Sequence, residues 1–378
     1  METTTYKLKD VLKIGNGKDH STLPDGEYPV LGSGGIMRYA NSYLYDGESV
    51  LLPRKGTLNN IQYIKGKFWT VDTCYYTIIN QDIAHPYYLY RLLRSFDLSG
   101  LDSGASIPSM TSKTYYGIKV QLPPLTTQQK IASILSAYDN LIQNYKKQIE
   151  ALQTAASELY KEWFVRFRFP GHQTTKFENG IPEGWKVERI VNVGEVIGGG
   201  TPSTENEEYW DGDIPWLSPV DLSDNTNVYV SRGSKNITEL GLKKSSAKMM
   251  PTGTVLLSSR APVGYVALAK NPICTNQGFK SVVCNTSVIQ PIYLYYYFRM
   301  NKNYLQSIAS GATFPELSGS MMKKFKVLLP PMKVQQEFSK RAKIFIEKAD
   351  LLSEQITNLT QQRDLLLPRL MSGKLEVE

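Results

Sequence analysis

The chain has 378 residues, 41% hydrophobic and 21% charged, a composition typical of globular proteins and a length that suits two or three domains. It carries 43 Lys and Arg against 35 Asp and Glu, and the resulting formal charge of +8 suits a polyanionic partner. The apolar runs are too short to cross a bilayer and the amino terminus lacks the apolar core of a signal peptide, so no membrane partner is expected. Three cysteines without a Cys-x-x-Cys pair predict reduced thiols and a cytoplasmic location.

The first region, residues 1–125, is predicted to be a compact α+β domain. It opens with a short helical pattern that is expected to end at Gly15 and Gly17. Residues that favour strands follow at 28–31, at 49–52 and between 68 and 79. A helix is predicted at 86–98, before a last strand that ends at Leu122.

A motif of the form Leu-Pro-Pro-x-x-x-Gln-Gln occurs twice. One copy begins at Leu122 and the other at Leu329, 207 positions later. A proline pair excludes helix before it, and the glutamines fall in the first turn after it. Each copy therefore predicts the start of a long helix, the first over 126–165 and the second within the last region, 332–378.

Each predicted helix carries an apolar seam whose steps alternate between four and three residues, the period of a coiled coil. The first seam is Ile131, Leu135, Tyr138, Ile142, Tyr145, Ile149, Leu152, Ala156, Leu159 and Trp163. The second seam is Phe338, Ala342, Phe345, Ala349, Leu352, Ile356, Leu359, Arg363, Leu366 and Leu370. Each position of the first seam has its counterpart in the second seam 207 residues later. This match favours two helices packed on each other over two unrelated core helices. Only Arg363 interrupts the apolar pattern.

A linker is predicted at 166–184. Val165, Phe167 and Phe169 alternate with two arginines, which predicts an extended segment. Trp163, Phe164 and Phe167 are candidates for contact with a partner protein. The alternative is that these rings close the core where the helix meets the next domain.

Residues 185–331 repeat the plan of the first region. Val255-Leu256-Leu257 corresponds to Val50-Leu51-Leu52, 205 positions earlier, and Ser310-Gly311-Ala312 corresponds to Ser103-Gly104-Ala105 at an interval of 207. The framework matches while the segments between diverge. Two copies that share a scaffold and differ in their loops are expected to perform the same function on two different targets.

The chain contains two domains, and each is followed by the Leu-Pro-Pro-x-x-x-Gln-Gln motif and a long helix. This order resembles the specificity subunit of type I restriction-modification systems, and the resemblance covers essentially the whole chain. The stretches that carry it are Ser258–Gly264, Thr275–Phe279, Glu162–Phe167, Pro182–Trp185 and Leu366–Leu375. The first domain departs from this pattern, since Leu52-Pro53-Arg54-Lys55-Gly56 replaces the serine-arginine-alanine-proline run.

The resemblance implies an α+β fold with two target recognition domains, each followed by a long helix, and with the helices paired as an antiparallel coiled coil of pseudo-twofold symmetry. Each recognition domain would read one half of a split, asymmetric site on double-stranded DNA, and the helices would set the spacer. Two methyltransferase subunits and restriction subunits, which are ATP-dependent translocases and endonucleases, would assemble on the chain. It would itself be non-catalytic and bind no cofactor, with S-adenosylmethionine, ATP and Mg²⁺ expected on the partner subunits.

Reading base edges requires amide, guanidinium and hydroxyl groups on loops, and the repeated loops supply them. In the first domain the candidates for DNA binding are Arg54, Lys55, Thr57, Asn59 and Asn60. In the second they are Ser258, Ser259, Arg260, Tyr265, Asn276, Gln277 and Lys280. A second pair of loops could hold phosphates through Ser106, Ser109, Thr111 and Lys113, and through Thr313, Ser318, Ser320 and Lys323. The alternative for any one of them is a turn residue in water, and Asn276 and Gln277 could equally cap a strand end.

Two other classes of protein remain open. A DNA amino-methyltransferase would need an Asn/Asp-Pro-Pro-aromatic loop, whereas the proline pairs here lie between apolar residues, and the sequence contains no phosphate-binding G-x-x-x-x-G-K-[ST] loop. His20, His85 and His172 are too scattered in sequence to nominate a metal site or a catalytic triad. A structural coiled-coil adaptor would explain the helices but not the two repeated globular domains.

Overall fold

The computed structural model describes residues 2–98, 108–223, 225, 227–311 and 315–377. The chain divides into two compact units: the first unit consists of 1–143 and 358–378, and the second unit of 144–357. Each unit therefore combines a stretch of one long helix with a stretch of the other. Within the described ranges, no helix has both the length and the apolar character that a membrane span needs.

The first unit is built on a six-stranded sheet and a separate strand pair. Its strands are β1 Thr4–Lys7, β2 Leu12–Asn16, β3 Asp25–Gly32, β4 Gly35–Ala40, β5 Tyr45–Pro53, β6 Gln62–Thr70, β7 Cys74–Ile79 and β8 Lys119–Leu122. The large sheet has the order β2-β7-β5-β6-β3-β4, and all its pairings are antiparallel except that of β3 with β6. The antiparallel pair of β1 and β8 brings the two ends of the domain together, with Thr4 opposite Leu122.

The helices that begin in the first unit are α1 Leu8–Val11, α2 Pro86–Arg94, α3 Ser112–Gly117 and α4 Leu125–Tyr160. The opening helix is shorter than predicted. It ends at Val11, and Gly15 lies inside β2, because residues 12–16 pair with β7 and so adopt the extended conformation. Leu8 and Val11 of this single helical turn are fully buried.

The second unit repeats this plan with shorter strands. They are β9 Phe177–Glu178, β10 Ile181–Pro182, β11 Lys186–Arg189, β12 Gly194–Gly198, β13 Trp210–Leu217, β14 Tyr229–Val230, β15 Lys235–Ile237, β16 Val255–Leu257, β17 Val266–Ala269, β18 Cys274–Thr275, β19 Lys280–Cys284 and β20 Lys326–Leu329. They form sheets of order β12-β19-β16-β17-β14 and β15-β13-β18, together with the antiparallel pairs β11–β20 and β9–β10. The pair β11–β20 closes this domain as β1–β8 closes the first.

The helices that begin in the second unit are α5 Ile190–Val193, α6 Glu239–Lys243, α7 Pro291–Met300, α8 Lys302–Ile308, α9 Gly319–Lys324 and α10 Met332–Met371. Three short turns of 3-10 helix lie at His172–Thr174, Glu207–Tyr209 and Pro219–Leu222.

The repeated glutamine motif connects each long helix to its domain. The buried amide of Gln128 accepts a hydrogen bond from the backbone N–H of His85 at 2.9 Å and donates to the carbonyls of Ile83 and Pro123. Gln335 makes the equivalent contacts with Gln290, Val288 and Pro330. His85 and Gln290 each immediately precede a helix, α2 and α7. One buried side chain thus satisfies backbone groups from two segments of the chain.

The positions of both predicted seams are buried or half-buried within the units. In the first unit, Ile131 and Leu135 of α4 share a core with Leu366 and Leu370 of α10. Asp139 of α4 lies opposite Arg363 of α10, so these stretches run antiparallel.

In the second unit, Ile149 and Leu152 pack with Leu352 and Ala349, and Ala156 lies in the same core as Ala342. The stretches of α4 and α10 in this unit therefore also run antiparallel. The heptad prediction is confirmed by this packing.

The segment after α4 is not extended as predicted. Residues Lys161–Val165 form a π-helical turn, and Phe167 has a φ of 54°. Trp163 and Phe164 are buried in the core of the second unit, where Phe164 contacts Phe338 at a ring distance of 5.0 Å. Of the two alternatives for these rings, the structure supports closure of the core for Trp163 and Phe164, because their burial leaves no surface for a partner.

Candidate nucleic-acid interface

Three loops meet at one end of the main sheet in the first unit. The backbone N–H of Arg54, just after β5, donates to the carbonyl of Thr73, just before β7, at 2.8 Å. The backbone N–H of Met110, just before α3, donates to the carbonyl of Arg54 at 3.0 Å. Gly56 adds a third bond to Pro108 at 2.9 Å. Backbone hydrogen bonds therefore hold the predicted DNA-binding loop against the predicted phosphate-binding loop.

The second unit contains the same arrangement. Ser259 N donates to the carbonyl of Gly278 at 2.7 Å, and Leu317 N donates to the carbonyl of Ser259 at 2.9 Å. Ser259 and Gly278 lie 205 positions after Arg54 and Thr73, and Leu317 lies 207 positions after Met110. The structure thus repeats the backbone of the site while the side chains on it differ.

All five candidates in the first unit face solvent at least in part. Lys55 and Thr57 are exposed, and Lys55 forms an isolated strand-like bridge with Ser109. The Arg54 guanidinium lies 5.9 Å from the ring centre of Tyr75 and reaches the carbonyl of Asp72 at 3.4 Å. These two basic groups are available to an anionic ligand next to the junction of the three loops.

Asn59 and Asn60 have structural contacts. The Asn59 side chain accepts a hydrogen bond from the backbone N–H of Leu98, and the Asn60 amide donates to the carbonyl of Ser33 at 2.6 Å. Asn60 N also closes a turn onto the carbonyl of Thr57. Both side chains therefore shape the loop that carries Arg54 and Lys55.

Ser258 and Ser259 are fully buried. The Ser258 hydroxyl donates to the carbonyl of Pro262 at 2.7 Å and accepts from the backbone N–H of Tyr265 at 2.8 Å. This hydroxyl stabilises a turn that contains the cis peptide between Ala261 and Pro262. Since buried hydroxyls with internal partners offer no contact to a groove, these two serines belong to the scaffold of the loop and not to its surface.

Arg260, Lys280 and Glu316 form the charged part of the second site. The guanidinium of Arg260 lies 3.8 Å from the Glu316 carboxylate, and its side chain is 39% exposed. Lys280 lies 3.5 Å from the same carboxylate and is more buried. Arg260 and Glu316 correspond in position to Lys55 and Ser109. Sequence reasoning missed Glu316, because nothing local distinguishes it from any other exposed glutamate.

The remaining candidates in the second unit differ in how far they are committed to internal contacts. Asn276 accepts from the backbone N–H of Gly278 at 2.8 Å, which is the capping role left open above, while Gln277 is exposed and accepts a hydrogen bond from Thr201. Tyr265 lies beneath the ammonium group of Lys302, at 5.4 Å from its ring centre. Gln277 and Tyr265 remain accessible to a ligand, whereas the Asn276 side chain is partly committed to its turn.

The predicted phosphate-binding loops include two helix caps. Thr111 accepts from Thr114 N at 3.1 Å at the start of α3, and Ser318 accepts from Met321 N at 3.2 Å at the start of α9. The basic residues that follow them, Lys113 and Lys323, are exposed. Ser106 and Thr313 lie outside the described residues. Each site therefore has an exposed lysine in the first or second turn of a helix beside it.

The chemistry of both sites is that of a polar, cationic surface. Guanidinium, ammonium and amide groups stand on loops whose backbone is fixed by hydrogen bonds. Such groups can contact phosphates and base edges.

The known proteins that resemble this chain share one family. The family model described as "Type I restriction modification DNA specificity domain" matches residues 1–154 and 182–361. The type I restriction enzyme MjaIX specificity subunit of Methanocaldococcus jannaschii is 45% identical over 179 residues, which are 47% of this chain and 41% of that protein. The HindI specificity subunit of Haemophilus influenzae is 24% identical over 365 residues, 78% of this chain and 79% of that protein.

A solved structure has the same fold. The crystal structure of the type I restriction-modification system S subunit from M. genitalium aligns with a TM-score of 0.71 at 14% identity, and the alignment covers 98% of this chain and 96% of that one.

Proposed function

Because the chain belongs to the type I restriction-modification DNA specificity family, we propose that it is the DNA-reading subunit of a type I complex. In this proposal each sheet with its three joined loops is a target recognition domain that reads one half of a bipartite, asymmetric site on double-stranded DNA. The paired helices set the spacer between the half-sites.

The repeated junction of loops is the observation that carries this proposal. The bonds from Arg54 to Thr73 and from Ser259 to Gly278 are the same backbone contact in two units, yet the side chains presented beside them differ. Lys55 stands beside Ser109 in the first unit, and Arg260 stands beside Glu316 in the second. One scaffold with two side-chain sets suits the recognition of two different half-sites.

The proposal extends to partners and location. Methyltransferase and restriction subunits would assemble on this chain and would carry S-adenosylmethionine, ATP and Mg²⁺, while the chain itself would be non-catalytic and cytoplasmic. Exposed apolar side chains on α10, Ile344 at 66% and Leu351 at 47%, lie seven residues apart on one face of the helix and support docking of a partner there.

Exchange of one domain tests the proposal. The chain is produced with its methyltransferase subunits, and methylated bases are mapped in the host genome. Residues 185–331 are then replaced by the equivalent domain of another family member. The expected result is a site in which one half has changed, while the other half and the spacer are retained.

Three other outcomes would contradict the proposal or favour an alternative class. A methylome in which both halves change would contradict independent recognition by the two domains. Methyl transfer by the purified chain alone would favour the methyltransferase class. An assembly that forms with its subunits but binds no duplex selectively would favour an adaptor.

A further inference from the structure

The hairpin of β3 and β4 in the first unit presents apolar side chains to solvent. Val30 pairs with Arg38 and Leu31 pairs with Ile36, so Met37 is the extra residue of a β-bulge. The Ile36 side chain is 55% exposed and that of Met37 is 60% exposed. Since β4 is the edge strand of the sheet, exposed apolar residues there favour unwanted association unless they serve binding. Bulges also commonly redirect a side chain beside a functional site.

This hairpin is attached to the first candidate interface by side-chain hydrogen bonds. Asn60 donates to the carbonyl of Ser33 at 2.6 Å, and Gln62 donates to the carbonyl of Gly32 at 2.9 Å. A Cβ built on Gly56 would lie 3.3 Å from the Ser33 hydroxyl. The turn between β3 and β4, which leads into Ile36 and Met37, therefore directly adjoins the loop that carries Lys55.

The second unit has an apolar side chain in the corresponding place. Leu31 pairs in parallel with Thr70, and Leu217 pairs in parallel with Thr275, so the chain enters both turns from the same position in the sheet. After Leu217 a short 3-10 helix replaces the hairpin, and its Val220 is 74% exposed.

The 3-10 turn also adjoins its own loop junction. A Cβ on Gly278 would lie 2.9 Å from the Pro219 ring, and the carbonyl of Gly278 receives the bond from Ser259. Ser218 and Asp221 cap the turn, which fixes Val220 outward at its surface. Two different local structures thus bring an exposed apolar side chain to the same place relative to the cationic loop.

We propose that these side chains, Ile36 and Met37 in the first unit and Val220 in the second, are apolar tips that contact bases in the DNA groove. The inference rests on the proposed function. It adds apolar residues to the candidates for base contact, which a search for polar side chains alone would omit. Lys55 and Arg260 can hold phosphates or guanine edges, and each tip beside them adds contact with apolar base surface such as a thymine methyl. Met and Ile are also side chains that enter base steps in proteins that deform DNA.

The test uses the full chain assembled with its methyltransferase subunits and a duplex that carries the methylated site mapped for that assembly. Two companion duplexes carry the same site with the first or the second half-site scrambled. Binding is measured for the wild type, for the double variant Ile36→Ala/Met37→Ala, and for Val220→Ala. Because all three side chains are exposed, the variants are expected to keep the wild-type melting temperature.

The double variant is expected to bind the intact site about tenfold more weakly, the loss typical of one good base contact. Its binding to the duplex with the scrambled first half-site should equal that of the wild type. Val220→Ala should give the reverse pattern with respect to the second half-site. Ile78→Ala is the matched control, since Ile78 is 43% exposed in β7 but lies at the end of the strand away from the loops.

Several outcomes would overturn the inference. They are unchanged binding in the tip variants, equal weakening on intact and scrambled duplexes, and loss of the methyltransferase subunits during purification, which would make the tips a protein contact. Failure of the proposed function is distinguishable, because the wild-type assembly itself would then bind the intact and scrambled duplexes equally.

Discussion

Arg363 Nη1 donates a hydrogen bond to Asp139 Oδ1 at 2.7 Å, and this pair joins the late part of α10 to the early part of α4. Asp139 also accepts hydrogen bonds from Arg91 and Tyr87 of α2. The residue that interrupts the apolar seam in sequence is therefore part of a polar network. The corresponding positions in the second unit, Ala156 and Ile346, are buried and apolar.

We predict that Asp139→Ala lowers the free energy of unfolding by about 3 kcal/mol, because the buried Arg91 guanidinium loses its carboxylate and Arg363 keeps only Asp364. Addition of Arg363→Leu should recover part of the loss, since leucine restores the apolar seam at a position whose side chain is 18% exposed. Chemical denaturation measures both changes. The control is Glu337→Ala, which removes an exposed ion pair with Arg341 and should cost below about 1 kcal/mol. Equal losses in the two single variants would contradict a special role for the buried network.

The same network predicts a pH dependence. Burial raises the pKa of the Asp139 carboxyl, but hydrogen bonds from Tyr87 and Arg363 and the charge of Arg91 outweigh it, so the pKa lies below its ordinary value. The stabilisation by Asp139 is therefore complete above the unfolded-state pKa of about 3.9 and is lost as the pH falls through the lower folded-state value. The difference in stability between wild type and Asp139→Asn should be full near neutral pH and should shrink below about pH 4. A difference that persists unchanged in acid would exclude the carboxylate as its source.

The two adjacent glutamines of the first motif, Gln128 and Gln129, should differ sharply in their contribution to the stability of the protein. Gln128 is buried and bonds three backbone groups, whereas its neighbour Gln129 is exposed. Gln128→Leu should destabilise the protein by about 3 kcal/mol, because it leaves one backbone N–H and two carbonyls beside a buried position without this partner. Gln129→Leu is the matched control and should stay within about 0.5 kcal/mol of the wild type. Thermal melting of both variants gives the comparison, and similar losses would contradict a structural role specific to the Gln128 side chain.

Lys55→Ala and Arg260→Ala should act on different half-sites. A residue that reads a guanine edge loses about 1–3 kcal/mol of discrimination on truncation, while a phosphate contact weakens binding to all duplexes and lowers the salt slope by about one. We expect Arg260→Ala to relax one half of the site and Lys55→Ala the other. Titration of the assembly with cognate and scrambled duplexes at several salt concentrations measures this. Lys186→Ala, an exposed lysine in β11, is the control. Equal weakening by Arg260→Ala on all duplexes would assign it to a phosphate.

Helix length should set the spacer. Leu152 of α4 packs in one cluster with Ala349 of α10, so seven residues inserted after each keep the heptad seam matched. The insertion adds about 10 Å of helix at ~1.5 Å per residue, which corresponds to about three base-pair steps of ~3.4 Å. Methylome mapping should show the same two half-sites with a longer spacer. An unchanged spacer in a variant that still methylates would mean that the helices do not measure the distance.

Residues 1–175 alone should form a homodimer that recognises a palindrome, since the first seam can meet a second copy of itself. In that dimer Ala156 of one copy would occupy the place of Arg363 and face Asp139 of the other. Ala156→Arg should therefore tighten the fragment dimer by restoring the ion pair, with Ala156→Leu as the control for added volume. Sedimentation measures the dimerisation constant. A fragment that stays monomeric in all three forms would contradict self-pairing of the first helix.

The sequence by itself determined the repeat architecture, the long helices and their buried seam. These features rest on periodicity and on proline and glutamine signals that act within one or two turns, so they can be read without tertiary contacts. Heptad spacing, for example, places Ile131 and Leu135 on one helix face whatever surrounds the helix. Local signals gave the wrong structure where tertiary packing overrides them. Residues 12–16 form a strand because they pair with β7, and the aromatic residues after α4 pack into the core.

Only the tertiary structure decided which polar residues are structural and which are accessible. Ser258 and Gln277 both looked like groups for reading bases, yet Ser258 is buried in a turn while Gln277 is exposed. Accessibility depends on contacts between segments far apart in the chain, such as the bond from Ser259 to Gly278. Long-range contacts also determine the exposure of the apolar tip residue Met37. They likewise place Asp139 opposite Arg363, because neither arrangement can be read from neighbouring residues in the sequence. The type of a side chain indicates which contacts with DNA it could make, and long-range packing determines whether that side chain reaches solvent.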